Sequence, residues 1–98
     1  MRRHLPILAL SAVLFWANVA AADSPLNPSK SMRDNLQALA AAKQSVTVVL
    51  SNGKDYRARV GAVGDDEVLL TGIAGREFFD VLIDIDEIVA IEAQARQQ

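Results

Sequence analysis

Val46-Thr47-Val48-Val49-Leu50-Ser51-Asn52-Gly53, with the stretch Lys54 to Val63 that follows it, decides the fold of this chain. The first run is β-branched and ends on Asn-Gly. That dipeptide between such runs is the strongest short-range hairpin signal, because both residues tolerate the positive φ of a type I′ turn. The return run alternates. Tyr56, Ala58, Val60 and Ala62 share one side, and Asp55, Arg57, Arg59 and Gly61 the other. Side chains on a strand point to opposite faces with period two, so this pattern predicts a half-buried antiparallel pair.

Further strands follow at short spacing. Gly64-Asp65-Asp66 predicts a turn, Val68 to Thr71 a third strand, Ile73 to Arg76 another turn, Glu77 to Ile85 a fourth strand and Ile88 to Ile91 a fifth. Upstream, Ser31 stands before Met32-Arg33-Asp34, a capping-box pattern with Asp in place of Glu. Met32, Leu36, Leu39 and Ala40 recur at helical spacing, and Ala38 to Ala42 favours helix. One helix over residues 31–43 is expected, with an apolar stripe narrow enough to dock on a sheet. The fold class is therefore mainly β with one N-terminal helix. So few residues are too little for a sandwich, and a strongly bent five-stranded antiparallel barrel is the economical solution, since closure hides edges. Gly61 and Gly64 are the expected bend points, because glycine within a strand marks bulges and corners.

The N-terminus carries a different message. Met1-Arg2-Arg3-His4 is basic, Leu5 to Trp16 is apolar, and Ala20-Ala21-Ala22 is small. These are the parts of a secretory signal, which sets residues 1–22 apart and predicts a periplasmic or secreted protein. The alternative is an uncleaved anchor, since Leu5 to Ala22 is just long enough to cross a bilayer. With cleavage, no membrane span remains. Residues 23–30 (DSPLNPSK) read as a flexible lead-in, 31–93 as helix plus barrel, and 94–98 as a polar tail.

After residue 22 the chain has no His, Cys or Trp, and eight Lys/Arg face twelve Asp/Glu, a balance of −4. Nucleophilic triads and imidazole zinc sites are excluded, and the expectation is a protein that is not an enzyme and takes no cofactor. An acidic domain lacks the electrostatic footprint of a polyanion binder. With no disulfide available, a core this small supplies about 3–5 kcal/mol at most, which favours self-association.

Leu36-Gln37-Ala38-Leu39, Val46 to Gly53, Val60 to Leu70 and Ile85-Asp86-Glu87-Ile88-Val89 together resemble the Sm-like family, including the Hfq type of bacterial RNA chaperone. The resemblance implies a helix on a five-stranded bent barrel. It also implies ring assembly, by pairing the fourth strand of one subunit with the fifth of the next. The positions through which that family holds RNA differ here. The base-contacting Asn would fall near Leu69 or Leu70, and the Arg-Gly pair is replaced by Asp84-Ile85-Asp86. The basic-aromatic-histidine cluster would fall near Phe79-Asp80-Val81, and the arginine-rich rim becomes Ala40-Ala41-Ala42. Nucleic acid is therefore not the expected partner.

Several candidate residues remain. Phe78, Phe79, Val81, Ile83 and Ile88 are candidates for a subunit interface, with one of the two phenylalanines expected in the core. Lys54, Arg57 and Arg59 are a candidate polyanion contact, although cross-strand pairing of Arg57 and Arg59 with acids is the plainer expectation. Asp80, Asp84 and Asp86 would share one face of a regular strand and form a weak candidate for Ca²⁺ or Mg²⁺; a solvated face is the plainer reading, and no metal is assigned. Asp65-Asp66-Glu67 reads as a polar turn. The resulting expectation is an exported Sm-like binding and assembly module that self-associates and contacts another envelope protein or peptide. The alternatives are a divergent Hfq-like RNA binder and an oxygen-ligand metal-binding module.

Overall fold

The computed structural model describes residues 24–96, so the predicted signal segment 1–22 lies outside the described residues. Helix α1 (Met32–Ala42) is followed by strands β1 (Ser45–Leu50), β2 (Asp55–Val63), β3 (Glu67–Thr71) and β4 (Val81–Asp84). A 3₁₀ turn (Ile85–Glu87) then leads into β5 (Ile88–Ala93). All neighbouring strands are antiparallel, in the order β4-β3-β2-β1-β5.

The helix begins and ends where the local chemistry dictates. The Ser31 hydroxyl accepts from the Asp34 amide at 3.0 Å, and Lys43 closes the helix in the left-handed region with φ 55°. The reciprocal half of the capping box is replaced by Asn35. Its side-chain amide donates to the carbonyls of Asn27 and Ser31, and its Oδ1 accepts from the Asn27 amide at 2.7 Å. Residues 24–30, expected to be flexible, are thereby fastened to the helix, with Leu26 packed on the core.

Leu36 and Leu39 are completely buried, and α1 lies across β2. Beneath the helix sit Val46, Val48, Ala58, Val60, Val68, Leu70, Ile73, Ile83, Ile85 and Ile88. Burying each large aliphatic side chain contributes about 1.5–3 kcal/mol, which is how so few residues hold together without covalent staples.

Two turns depart from the expected geometry. Gly53 amide donates to Leu50 carbonyl at 2.9 Å and Leu50 amide to Lys54 carbonyl at 2.8 Å. Gly53 has φ 90° while Asn52 stays at negative φ. The connection is thus a three-residue loop closed by a left-handed glycine, rather than a two-residue type I′ turn. Asn52 contributes its side chain instead, accepting from the Lys54 amide at 2.9 Å.

In β2, Val60 pairs with Leu70 but Ala62 pairs with Leu69, which leaves Gly61 as an extra residue. The bulge falls at one of the two predicted glycines. Its consequence was not anticipated: beyond it the faces exchange, so Ala62 is exposed and Val63 turns toward the core.

The predicted fourth strand is too long. Phe79 amide donates to Arg76 carbonyl at 3.0 Å, so residues 76–79 form a turn and β4 starts only at Val81. Alternation therefore fails at the phenylalanines. Neither is buried, and Ile73 from the preceding turn is buried instead.

Candidate functional site

The strand order leaves two ends, β4 and β5, and among the described residues no ladder joins them. The expectation that closure hides every edge is corrected here. The gap is crossed by the 3₁₀ turn alone. Ile85 amide donates to Asp66 carbonyl at 2.8 Å, and Ser51 amide donates to Glu87 carbonyl at 2.8 Å. The Ser51 hydroxyl adds a 2.6 Å bond to the Glu87 carboxylate. Three residues suffice to turn the chain from one edge to the other, and they leave a row of main-chain donors and acceptors open on each.

These edges organise the candidate interface residues. Ile83 and Ile88, expected at an interface, are buried within the chain itself, because they oppose Val68 and Leu50 across their ladders. Val81, opposite Leu70, is half-buried against the same core. Phe78 is as exposed as in an extended peptide (101%), and Phe79 is exposed at 59%. Two further apolar residues emerge on the edges: Leu82, outward in β4, and Val89, the extra residue where the β1–β5 register shifts. Alternation around Ile83 pointed to Leu82. Val89 required the bulge to be known.

The cations form a second feature. Lys54, Arg57 and Arg76 line one shallow depression with Asp55, Tyr56, Ile73 and Ala74. Arg57 opposes Thr47 and Arg59 opposes Ser45 and Thr71, so neither meets an acid across the sheet. The expected cross-strand pairing is absent, and the sole ion pair among the described residues joins Arg33 to Asp65. Arg59 lies over Gly72, where a β-carbon, if present, would stand only 3.0 Å from the guanidinium. Arg76 was not singled out in the sequence. Its position is set by the turn that places its guanidinium 5.7 Å from the Phe79 ring, within cation–π range.

Asp80, Asp84 and Asp86 do not share a strand face. Asp80 precedes β4, Asp84 ends it and Asp86 lies in the 3₁₀ turn. The Asp84 carboxylate accepts from the Asp86 amide at 3.0 Å, capping that turn. No group of three acidic, His or Cys side chains suited to a metal ion occurs among the described residues. Among them, too, no helix is long and apolar enough to cross a membrane.

A helix packed across a bent five-stranded antiparallel sheet, whose last strand returns through a 3₁₀ link to pair with the first, is the Sm-like fold. A crystal structure of the pleiotropic translational regulator Hfq superposes with a TM-score of 0.56, covering 70% of this chain and 98% of that one at 19% identity. A novel Sm-like archaeal protein from Pyrobaculum aerophilum superposes with a TM-score of 0.53 at 32% identity over 66% of this chain. The match spans 52% of the archaeal protein, about half its length. No protein-family model and no curated protein matches the sequence.

Proposed function

We propose that this chain is a non-enzymatic, exported Sm-like assembly module. Copies associate by adding the β4 edge of one to the β5 edge of the next, and the assembly engages another envelope protein or peptide. The observation that carries the reading is the pair of unpaired edges. Each bears core-facing apolar residues, Val81 and Ile83 on β4, and Ile88 and Ile91 on β5. Exposed edges invite pairing with another chain, and no proline or inward-pointing charge guards these two. The resemblance to ring-forming Sm-like proteins points the same way.

RNA is not the proposed ligand, because Leu69, Leu70, Asp80, Asp84, Asp86 and Ala40 to Ala42 stand where that family's RNA-contacting residues would be. The expected result is no retention of poly-U or poly-A RNA even at low salt, where electrostatic binding is strongest. Sedimentation velocity on the purified full chain tests the assembly, with a discrete oligomer at micromolar concentration as the expected result. A strict monomer at the highest soluble concentration overturns it. Export rests on residues 1–22 and is tested by N-terminal sequencing of the protein from its host's envelope fraction. A start near Asp23 is expected, and an intact Met1 in the cytoplasmic fraction would refute it.

A further inference from the structure

The hydrogen bonds around the two open edges fix which of their main-chain groups are free. Gly64 amide donates to Glu67 carbonyl at 2.8 Å, so Glu67 turns its groups toward β2. Along a strand those groups alternate from side to side. Val68 and Leu70 therefore turn toward β4 and bond their ladder partners Ile83 and Val81. Leu82 and Asp84 are left facing the open edge. On the other side, Ser51 amide donates to Glu87 carbonyl, so Ser51, Val49 and Thr47 face β5 and bond its strand through Ala90 and Glu92. Ile91 and Ala93 are left facing the second open edge.

We infer that Leu82 of one copy seats beside Ile91 of the next, on the neighbour's core-facing side, an inference that rests on the edge pairing proposed above. In an antiparallel ladder bonded residues meet bonded residues, and opposed residues share a face. Leu82 must then stand abreast of Ile91 or Ala93. Leu82 points away from its own core and is 62% exposed, whereas Ile91 and Ala93 pack against theirs. The joint thus exchanges faces, and the outward side of β4 continues the inward side of the neighbour's β5. Every ladder within the chain is antiparallel, and a parallel joint would leave Leu82 in water.

Charge chooses between the two registers. With Leu82 abreast of Ala93, Asp84 falls against Ile91 and Glu92 against buried Ile83, which places two charges on apolar positions. With Leu82 abreast of Ile91, Ile83 meets Ala90 and the acids fall at the two ends of the ladder. Space is available there. Ile91 forms part of the wall of an apolar cleft of about 300 Å³ with Leu26, Pro28 and Met32. Its partner on the β1 side, Val48, is completely buried, so the cleft opens toward the unpaired side of β5. Lys30 is exposed at the rim, where its ammonium stays in water while its methylenes lie along the incoming leucine.

The native chain has no cysteine, so disulfide trapping has no background. Leu82→Cys is mixed in turn with Ala90→Cys, Ile91→Cys, Glu92→Cys and Ala93→Cys, all as full-length chains, diluted to exchange partners, reconcentrated and oxidised. Bonded antiparallel partners have Cα atoms about 5.5 Å apart, within the range a disulfide spans. The expected result is a cross-link with Ile91→Cys that neither variant gives alone. Leu82→Ala should leave the fold intact, since the side chain is exposed in its own chain, and should weaken association roughly tenfold or more, as loss of a buried interface anchor does. A cross-link to Ala90→Cys, Glu92→Cys or Ala93→Cys in place of Ile91→Cys, or association unchanged by Leu82→Ala, overturns the seating of Leu82 while edge pairing stands. A monomeric unmodified chain overturns both.

Discussion

A methyl group on Gly61 would stand 2.9 Å from Cγ2 of Thr71, the residue that faces Arg59 two residues before the bulge. That close approach is why the bulge falls at a glycine. The extra residue bends β2 so that its first half pairs with β1 and its second with β3, and the bend turns the meander into a barrel wall.

Gly61→Ala is therefore expected to destabilise the fold by about 1–3 kcal/mol, the cost of forcing an added methyl into a packed site. The Thr71 side chain is β-branched and stiff, so it cannot swing aside cheaply. Replacing it by serine removes Cγ2 and leaves the hydroxyl. Urea unfolding of Gly61→Ala, Thr71→Ser and the double variant should show positive coupling, with the double variant regaining much of the loss. Additive losses would mean that the strain lies in the backbone, where the Leu69 carbonyl would be 3.4 Å from the new methyl.

The first turn of α1 is tied to the β2–β3 turn by Arg33, and two interactions share that tie. Its Nε donates to the Gly64 carbonyl at 3.0 Å, and its guanidinium lies 3.5 Å from the Asp65 carboxylate. Asp65 is 95% exposed, so the ion pair is screened and worth about 0–1 kcal/mol. The bond to a carbonyl is the stronger constraint. Arg33→Ala should lower stability by about 0.5–1.5 kcal/mol, whereas Asp65→Asn should change it by less than about 0.5 kcal/mol. Thermal unfolding in low and high salt separates the two. The Arg33 effect should survive salt, while any Asp65 effect fades.

The physical rules that shape this chain differ in how far they reach along it. The helix was legible to within a residue because its limits are local: Ser31 caps one end and the stripe of Leu36 and Leu39 defines the buried face. Strands β1, β2, β3 and β5 were legible because one side of each is buried and the other is not. The fourth strand was overdrawn. Alternation through Phe78 and Phe79 imitates a strand, and only the Arg76–Phe79 turn, a backbone bond, reveals otherwise. The same error placed Asp80, Asp84 and Asp86 on one face and a phenylalanine in the core. Ala62 was assigned to the wrong face because a bulge shifts the period by one, and a lone glycine does not announce which way. Arg76 was missed because the turn that sets it beside Phe79 reads as the start of a strand, and the packing of Leu26 on the core because it joins segments far apart in sequence.

The lead-in offers a test of how local that assembly is. Asn35 reaches back eight residues to bond both main-chain groups of Asn27, and also bonds Ser31. Asn35→Ala removes these bonds at once, and the Asn27 groups are close enough to water to be resolvated. The expected cost is about 1–2 kcal/mol, in line with the loss of one or two net hydrogen bonds. Hydrogen exchange should show residues 24–31 opening while amides of β1 to β3 keep their protection. Loss of protection throughout the sheet would mean that Leu26 is part of the cooperative core rather than a fastening over it.

The acidic residues around the last turn invite a metal-binding experiment, and the geometry predicts its outcome. Asp84 spends its carboxylate on the Asp86 amide, and Asp80 and Asp86 belong to other segments. Millimolar Ca²⁺ or Mg²⁺ should leave the melting temperature where it was, because a ligand that does not bind the native state cannot stabilise it. Asp84→Ala should cost about 0.5–2 kcal/mol by the same logic as the loss of a helix N-cap, and Asp84→Asn much less, since an amide oxygen also accepts. If Asp84→Asn proved as costly as Asp84→Ala, the carboxylate charge itself would be required. A melting temperature raised by Ca²⁺ in the native chain but not in Asp84→Asn would then replace the capping role with a cation site.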